Sequence, residues 1–318
     1  MDRHPAACQS SRSKIGPVMT RILCIGIVVV DFVYRYGILP RGPGKHIAEG
    51  MEAVVGGMAA NAAVAATRLG AKGALLSRVG EDPNGAFALG ELEWHGLDLS
   101  GVEHVRGVPT SLSAVAVDDE GERMLFNHQD RRLLLDADAP PEAAYRQFDA
   151  VLDDTRWPAA GVLGLQLARA RGVPAIADVD HEIEPRWLAP TLGGASHVVF
   201  SRDGLAACLG ADGLDAGLAE ARRLVPGHLA VTLGAEGVAW LDGTTVRRLP
   251  AFRVRAVDTL GAGDVFHGAL TLALAEGRPW QEALVFASAA AAVKCSRPSG
   301  RGSFPTRSDV HRLMEQGV

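Results

Sequence analysis

Apolar segments of strand length alternate with segments of helical periodicity along most of the chain. The first apolar run extends from Ile22 to Val30, a helical pattern follows at residues 58–70, and the same alternation resumes over residues 149–234. Strands that are apolar on both faces are typical of a parallel sheet covered by helices. The pattern therefore predicts an α/β fold with a central, mostly parallel sheet.

Two intervals interrupt this alternation. Residues 32–55 and 110–128 show short strand-like patterns, and residues 118–121, "DDEG", form a turn between two alternating runs. We interpret both intervals as insertions that build a small β-sheet lid on one domain spanning residues 21–318. Residues 1–20 lack the apolar core of a secretory signal, and we expect them to be a disordered leader.

Composition and charge narrow the choice of partners. The chain has a formal net charge of -5 and a sequence pI of about 6.1. It therefore lacks the overall positive charge that would attract a nucleic acid. Its longest strongly apolar run is about half as long as a membrane-crossing helix requires. Its four cysteines, Cys8, Cys24, Cys208 and Cys295, show neither metal nor redox spacing. We expect a cytoplasmic protein with a small-molecule substrate and without a nucleic-acid or membrane partner.

The segment "DTLGAGD", residues 258–264, enters a helical pattern through a turn of small residues. Gly261, Ala262 and Gly263 let the backbone approach a ligand closely, and the free N–H groups of a helix N-terminus bind anions. Asp264 could accept the proton of a hydroxyl that attacks a phosphate. Taken alone, the segment fits equally well a tight turn in which Asp264 is only the helix N-cap.

A second glycine turn enters a helix within residues 56–71. Asn61 is the polar residue on a face of alanines, where it is a poor helix former, so we expect it to hydrogen-bond either the backbone or a ligand. Asp31 ends the first apolar strand, and ligands of parallel sheets bind at the carboxyl ends of the strands. Asp31, Gly57 and Asn61 are therefore candidates for holding sugar hydroxyls.

Together, "GGMAAN…RLGA" at residues 56–71 and "DTLGAGDVFHGAL" at residues 258–270 resemble, in sequence and order, two motifs of the ribokinase or PfkB family of carbohydrate kinases. The resemblance extends from about Arg21 to the C-terminus. It implies a ribokinase-like three-layer α/β/α fold with a β lid, and transfer of the ATP γ-phosphate to a sugar hydroxyl. It also implies that Asp264 is the base and that the amides of residues 261–263 form the anion hole.

The resemblance further implies a nucleotide site and a cation site. Thr232, Gly234 and Gly237 of "TLGAEG" stand in the family's nucleotide-binding positions. Asp258 would face a monovalent cation such as K⁺, with carbonyl groups of the loop at residues 298–303 completing the site.

One segment departs from the family pattern. Where the family commonly has Asn-x-x-Glu after a central strand, this chain has "SRDG", from Ser201 to Gly204. The family's magnesium-organising glutamate is therefore absent, and Mg²⁺ is expected to arrive with ATP, held mostly by phosphates and water. Ser201 remains a candidate on the nucleotide side.

Within the family, the chain is most similar to the bacterial sulfofructose kinases, through "GIVVVDFVYR", "LDDTRW", "FSRDGLAACLG" and "AVKCSRPSGRGSFP". This likeness implies that 6-deoxy-6-sulfofructose is phosphorylated at its 1-hydroxyl and that Lys45, Asn127 and Arg156 bind the sulfonate. Two cations and an amide donor match the single negative charge of a sulfonate. A solvated surface lysine is the competing interpretation of Lys45.

Other hypotheses remain open. The substrate could instead be fructose, ribose, a nucleoside or a keto-deoxy sugar acid, and a non-catalytic sugar- or nucleotide-binding regulator could share the fold. The intact Asp264 and glycine turn favour an enzyme, and the first strand lacks the G-x-G-x-x-G of dinucleotide-binding dehydrogenases. We interpret His267 as a packing residue. A two-part lid with exposed strand edges predicts a homodimer formed through the lid.

Overall fold

The computed structural model describes residues 19–210, 213–298, 300 and 302–317 of the chain. Its larger sheet contains the strands β1 (Arg21–Ile25), β4 (Lys72–Gly80), β5 (Asp98–Val105), β8 (Ala150–Asp153), β9 (Ala175–Val179), β10 (His197–Ser201), β11 (His228–Thr232), β12 (Val238–Asp242) and β13 (Thr245–Leu249). The smaller sheet contains β2 (Val29–Arg35), β3 (Gly50–Gly56), β6 (Leu112–Val117) and β7 (Arg123–His128). The predicted leader lies almost entirely outside the described residues.

The helices of the described chain follow the strands in the alternation that the sequence predicts. They are α1 (Met58–Arg68), α2 (Pro83–Trp94), α3 (Pro158–Ala170), α4 (Pro185–Gly194), α5 (Arg202–Leu209), α6 (Leu214–Leu224), α7 (Ala262–Ala275), α8 (Trp280–Cys295) and α9 (Arg307–Gln316). None of the described helices is long and apolar enough to span a membrane.

The larger sheet is mostly parallel, as predicted. Its spatial order is β13-β12-β11-β10-β9-β8-β1-β4-β5. The strands from β11 to β5 run parallel to one another, whereas β12 pairs antiparallel with both β11 and β13. The carboxyl ends of the parallel strands therefore meet along one edge, where ligands of open α/β sheets bind.

Helices cover both faces of this sheet and give it three layers. The core on one face is built from α1, α7 and α8, which are rich in alanine and leucine, and the core on the other face from α3, α4 and α6. Every residue of β9 is buried, as expected for a strand between two helical layers. The three-layer fold predicted from the sequence is confirmed.

The smaller sheet stands apart from the body and has the order β3-β2-β6-β7. Strands β2 and β3 are antiparallel, β2 and β6 are parallel, and β6 and β7 form an antiparallel hairpin. Its first pair begins at Val29 and ends at Gly56, slightly outside the predicted interval of 32–55. The second interval, 110–128, contains β6 and β7. We call this four-stranded sheet the lid.

Helices α1 and α7 cross with almost no side chain between them. A β-carbon at Gly268 would come within 2.2 Å of the Ala62 carbonyl oxygen, so only glycine permits this approach of the two backbones. The crossing brings the first turn of α7 next to the first turn of α1, and the two glycine turns recognised in the sequence therefore become neighbours.

Candidate active site

A cavity of about 590 Å³ lies under the lid, against the first turns of α1 and α7. Its walls come from both parts of the structure, with Asp31 and Asn127 on lid strands and Arg156 in the loop after β8. The polar, charged and glycine residues of the lining include Asp31, Gly57, Asn61, Asn127, Arg156, Asp180, Gly261, Asp264 and Lys294. The structure thus brings the predicted sugar-side residues other than Lys45 together with Gly261 and Asp264, whereas the predicted nucleotide residues and Asp258 are not part of this lining.

Asp264 lies in the first turn of α7 and accepts a hydrogen bond from Asn61, whose Nδ2 is 2.7 Å from the Asp264 Oδ2. The N-cap of α7 is Gly261, with φ of 72°, and not Asp264. The interpretation of Asp264 as a simple N-cap is therefore wrong. Gly261 offers no capping side chain, so no side chain of the N-cap residue occupies the first-turn amides of α7.

Burial raises the pKa of Asp264 to about 7, with the nearby Asp178 carboxylate adding to the shift and the Asn61 hydrogen bond opposing it. A carboxyl group that ionises near neutral pH can accept a proton and release it again under physiological conditions. The arrangement therefore provides a proton acceptor at a helix N-terminus, where a negatively charged group can bind.

A buried contact between His267 and Asp178 lies next to Asp264. His267, one turn later on α7, has its Nδ1 2.9 Å from the Asp178 Oδ2. Burial disfavours the charged imidazole, but the carboxylates of Asp178 and Asp264 outweigh it and raise the pKa of His267. His267 is thus a packed residue, as interpreted from the sequence, and its imidazole also contacts a buried carboxyl group. Asp178, a buried residue of β9, was not identified from the sequence.

The predicted sugar-binding residues meet at the cavity. Gly57 has φ of 102°, and a β-carbon there would come within 2.3 Å of the Ile27 carbonyl oxygen, so this turn requires glycine. Burial raises the pKa of Asp31, while a hydrogen bond with Ser113 opposes the shift. Asn127 lies opposite Ser113 in the β6–β7 hairpin and lines the same cavity.

Arg156 lines the cavity from the loop after β8, and its guanidinium is already engaged. Its Nη2 lies 3.2 Å from the Asp180 Oδ1. The buried Asp154 carboxylate fixes the loop, because it accepts the amide N–H groups of Ile27, Ala59 and Arg156 at 2.8, 3.0 and 2.9 Å. Asp154 was not assigned a role from the sequence. Two consecutive aspartates at the end of a strand could have indicated that one of them fixes the following loop.

Lys45 does not reach the cavity. It lies in an exposed turn between β2 and β3, and it is not among the residues that line the cavity. The reason is local, since Lys45 belongs to the long connection between β2 and β3, beyond their last pair, Arg35 and Gly50. The structure of the single chain therefore separates Lys45 from Asn127 and Arg156, the two residues with which it was grouped.

The predicted nucleotide-binding residues lie together at the carboxyl ends of β10 and β11. Ser201 and Thr232 are paired in register, and Gly234 and Gly237 follow with φ of 60° and 95°. A β-carbon at Gly237 would come within 2.0 Å of the Leu249 carbonyl oxygen. These residues lie outside the cavity lining, several strands away from β1.

The structure gives a physical reason for the "SRDG" departure. The Ser201 hydroxyl accepts the Gly204 N–H at 2.9 Å and caps α5. A β-carbon at Gly204 would come within 2.2 Å of the Val179 carbonyl oxygen, so no glutamate fits there. Among the described residues, no group of three or more His, Cys, Asp or Glu side chains could hold a metal ion.

Asp258 faces two cations of the protein itself. Its Oδ1 accepts hydrogen bonds from Arg123 of the lid at 3.0 Å and from the Leu260 amide at 2.8 Å. Its carbonyl oxygen lies 3.4 Å from the Lys294 Nζ. Residues 299 and 301 of the predicted cation loop lie outside the described residues. Arg123 and Lys294 were not identified from the sequence, although a lysine after a run of alanines on a helix was a visible signal.

A mostly parallel three-layer body, a β lid and a carboxyl at a helix N-terminus between them define a phosphotransferase that acts on small molecules. The chain belongs to the PfkB family of carbohydrate kinases, whose sequence model matches residues 19–307. It is 28% identical to the ribokinase of Bacillus subtilis over 93% of this chain and 100% of that protein. The family and its relatives establish that the protein is a carbohydrate kinase.

Solved structures agree with this assignment. The chain is 36% identical to an Agrobacterium tumefaciens protein of known crystal structure, described as a putative ribokinase, with a TM-score of 0.87 over 94% of this chain and 98% of that one. The ribokinase of Arabidopsis thaliana, solved with ribose and ATP, has 23% identity and a TM-score of 0.82 over 94% of this chain and 99% of that one. The second similarity shows the ribokinase-like fold alone.

Proposed function

We propose that the protein transfers the γ-phosphoryl group of ATP to the 1-hydroxyl of 6-deoxy-6-sulfofructose. The observation that carries the choice of substrate is Arg156, a cation built into the wall of the cavity that also holds Asn61 and Asp264. The similarity to sulfofructose kinases in "LDDTRW" includes this residue. Asn127, on the lid side of the cavity, adds an amide donor for a sulfonate oxygen.

In the proposed reaction, the Asp264 carboxylate takes the proton of the attacking hydroxyl. The substrate oxygen forms a bond to the γ-phosphorus, the bond from that phosphorus to the β,γ-bridging oxygen breaks, and ADP leaves. The amides of Gly261, Ala262 and Gly263 stabilise the charge on the transferring group, as does the positive end of α7. The Ala262 amide also donates to the Thr259 carbonyl at 3.3 Å, so it is the most constrained of the three.

The nucleotide is proposed to bind at the carboxyl ends of β10 and β11, through Ser201, Thr232, Gly234 and Gly237. Mg²⁺ enters as part of the MgATP substrate, because Gly204 leaves no room for a carboxylate ligand. Asp31, Gly57 and Asn61 are proposed to hold the sugar hydroxyls on the opposite side of Asp264. A cytoplasmic location fits the need for ATP and the free thiols of Cys24, Cys208 and Cys295.

A second candidate substrate is a neutral sugar, such as fructose or ribose. Two observations favour it. The Asp180 carboxylate already partners Arg156 at 3.2 Å, and Lys45 lies outside the cavity. A cation that is paired in the free protein attracts an anionic substrate less strongly than an unpaired one. The chemistry at Asp264 would be the same for either substrate.

The test is a substrate comparison by coupled ADP release. 6-Deoxy-6-sulfofructose, fructose, fructose 6-phosphate and ribose are compared by kcat/KM for the wild type and for Arg156→Ala. We expect the sulfonated ketose to be preferred by the wild type. Loss of the charged contact in Arg156→Ala should lower its kcat/KM about 10- to 150-fold, and the rate with fructose should change little.

The matched control is Arg223→Ala, which removes an exposed arginine of α6 that pairs with Glu220 on the surface. It should leave all four values unchanged. Equal kcat/KM for sulfonated and neutral sugars in the wild type would reject the sulfonated substrate and favour the second candidate. An Arg156→Ala variant that loses activity equally on every sugar would show that Arg156 does not select the sulfonate.

A further inference from the structure

A buried lysine lines the cavity next to the turn that precedes α7. Lys294 lies in the last turn of α8, and its side chain is only 3% exposed. It follows a run of alanines and a valine, so nothing else on this part of α8 is charged. A buried ammonium group is costly unless other groups compensate its charge, and its place therefore calls for an explanation.

Lys294 lies close to the segment that leads into the proposed anion-binding turn. Its Nζ is 3.4 Å from the carbonyl oxygen of Asp258, and Gly261 and Asp264 line the same cavity. Burial lowers the pKa of Lys294, and the carboxylates of Asp258 and Asp264 oppose that shift. Within the described part of the chain, Arg123 of the lid also acts on Lys294, and the Cys295 thiol is the adjacent titratable group on α8.

Backbone hydrogen bonds fix the end of α8, where Lys294 lies. The Cys295 carbonyl at the end of α8 accepts the amide N–H groups of Val257 and Asp258, at 2.7 and 3.2 Å. The end of α8 is therefore joined directly to the segment that leads into the anion-binding turn. A lysine at a helix C-terminus is also favoured by the helix dipole.

A monovalent cation does not fit the described residues around Asp258. Its carboxylate is taken by the Arg123 guanidinium at 3.0 Å, and its carbonyl oxygen faces the Lys294 ammonium. A K⁺ ion bound at these oxygens would lie next to two positive groups of the protein, which repel it. The K⁺ site expected from the sequence thus conflicts with the side chains that surround Asp258.

We propose that Lys294 supplies, from within the chain, the positive charge that a bound monovalent cation would otherwise provide beside the anion-binding turn. The enzyme then needs no K⁺. This inference rests on the proposed roles of Asp264 and of the turn at residues 261–263. The ammonium group acts by fixed electrostatic stabilisation of the transferring phosphoryl group and takes no part in proton transfer.

The test compares cation dependence in wild type and variants, on whichever sugar gives the highest rate. Rates are measured in tetramethylammonium buffer with and without K⁺ at constant ionic strength. The wild-type kcat should not respond to K⁺. Lys294→Met should lower kcat by roughly 10²- to 10³-fold, as for loss of one preorganised charge-stabilising group, with a smaller change in the KM for the sugar.

Two further variants separate charge from packing. In Lys294→Ala, the vacated space should admit a cation, so K⁺, ammonium or methylammonium should restore part of the lost kcat. Lys72→Met, which removes an exposed lysine at the start of β4, is the control and should behave as wild type. A wild-type kcat that rises with K⁺, an unchanged kcat in Lys294→Met, or a folded Lys294→Ala that no cation restores would each overturn the proposal.

Binding of K⁺ can also be measured without the reaction, through its effect on Tm. Thermal unfolding is followed in K⁺ and in tetramethylammonium buffers. Only Lys294→Ala should be stabilised by K⁺, because ligands that bind the folded state raise Tm. A wild-type Tm that rises specifically with K⁺ would overturn the Lys294 proposal, even if activity were undetectable. Absence of ADP release with every sugar would instead contradict the proposed function.

Discussion

Asn61 and Asp264 form a pair that neither residue could provide alone. The amide of Asn61 donates to the carboxylate of Asp264 at 2.7 Å and so favours the ionised form, while burial favours the protonated form. Burial outweighs the hydrogen bond and raises the pKa of Asp264 to about 7. The hydrogen bond from Asn61 engages one carboxylate oxygen of Asp264, the Oδ2.

The raised pKa of Asp264 predicts opposite effects of Asp264→Asn on activity and on stability. Turnover should fall by about 10²- to 10⁴-fold, because the proton acceptor is lost. Burial raises the folded-state pKa from 3.8 to about 7, so the native state binds this proton more tightly than the unfolded chain. The resulting stability is fully present below about pH 3.8 and is lost progressively as the pH rises to about 7. An asparagine side chain cannot ionise, and the variant should therefore gain more Tm relative to wild type at about pH 8 than at about pH 5.

Steady-state kinetics and thermal unfolding at both pH values check this prediction. Asp119→Asn, at an exposed position in the lid turn, serves as a control that should change neither quantity. A variant that retained wild-type turnover would contradict the role of Asp264. A Tm difference that did not depend on pH would contradict the pKa shift.

Sequence reasoning found the two members of this pair but not their contact. Asn61 was expected to need a hydrogen-bond partner because it is a poor helix former among alanines. Its partner depends on how two helices far apart in the chain cross, and no local pattern contains that information. The same limit explains why Asp178 and Lys294 were missed, since burial of a charged residue becomes visible only once its neighbours are known.

At the scale of the elements, the close crossing of α1 and α7 determines the geometry of the site. Gly268 is one turn after Asp264, and Ala62 is the neighbour of Asn61. The contact between the Gly268 backbone and the Ala62 carbonyl therefore sets the separation of the two functional side chains. The alanine face of α1 on which Asn61 lies serves in large part for this helix contact.

Gly268→Ala should accordingly impair catalysis from outside the cavity. Its added β-carbon would lie 2.2 Å from the Ala62 carbonyl oxygen, so the helices must separate. We expect a loss of about 1–3 kcal/mol in the free energy of unfolding, as for other overpacked sites. We also expect a lower kcat, because the Asn61–Asp264 hydrogen bond lengthens. Denaturant unfolding and steady-state kinetics measure the two effects.

Gly90→Ala is the matched control, since Gly90 is inside α2 and a β-carbon there meets nothing within 4 Å. That variant should be unchanged in kcat and more stable by up to about 1 kcal/mol, the helix preference of alanine over glycine. If Gly268→Ala matched Gly90→Ala in both measurements, the crossing would not control the site.

The elements themselves were largely predictable. Long apolar runs and helical periodicity identify the parallel sheet and its covering helices, because burial on two faces leaves a clear pattern. The lid was predicted as two hairpin-like insertions, but not the parallel pairing of β2 with β6 that joins them into one sheet. Which distant strands pair depends on the tertiary fold. The alternation of apolar and polar residues within a strand does not identify its partner.

Considered as a whole, the protein divides the edge of its main sheet into two parts. The lid covers the part near β1 and β8, and the proposed nucleotide residues lie at β10 and β11, with Asp264 between them. The lid itself has an uncovered outer side, on which Met124 and Phe126 are 39% and 62% exposed. Met124 and Phe126 are two residues apart on β7 and so lie on the same face, and contiguous exposed apolar surface marks an interaction site more often than isolated apolar residues do.

We propose that a second copy of the chain covers this side of the lid. Phe126→Glu should then shift the protein from dimer to monomer, because a buried unpaired carboxylate is strongly unfavourable at an interface. Light scattering coupled to size-exclusion chromatography measures the change. Arg223→Glu, a larger charge change on the exposed surface of α6, should leave the mass unaltered. A wild type that is monomeric at all concentrations would reject the proposal.

The contact between Gly204 and the Val179 carbonyl also limits how this protein can evolve. Mutation of Gly204 to glutamate would not recreate the Asn-x-x-Glu arrangement, because the side chain would first have to push α5 away from the end of β9. Return to that arrangement would require α5 to move as well as Gly204 to change. Under the proposed binding of MgATP, this glycine therefore makes reliance on a magnesium ion delivered by the nucleotide difficult to reverse.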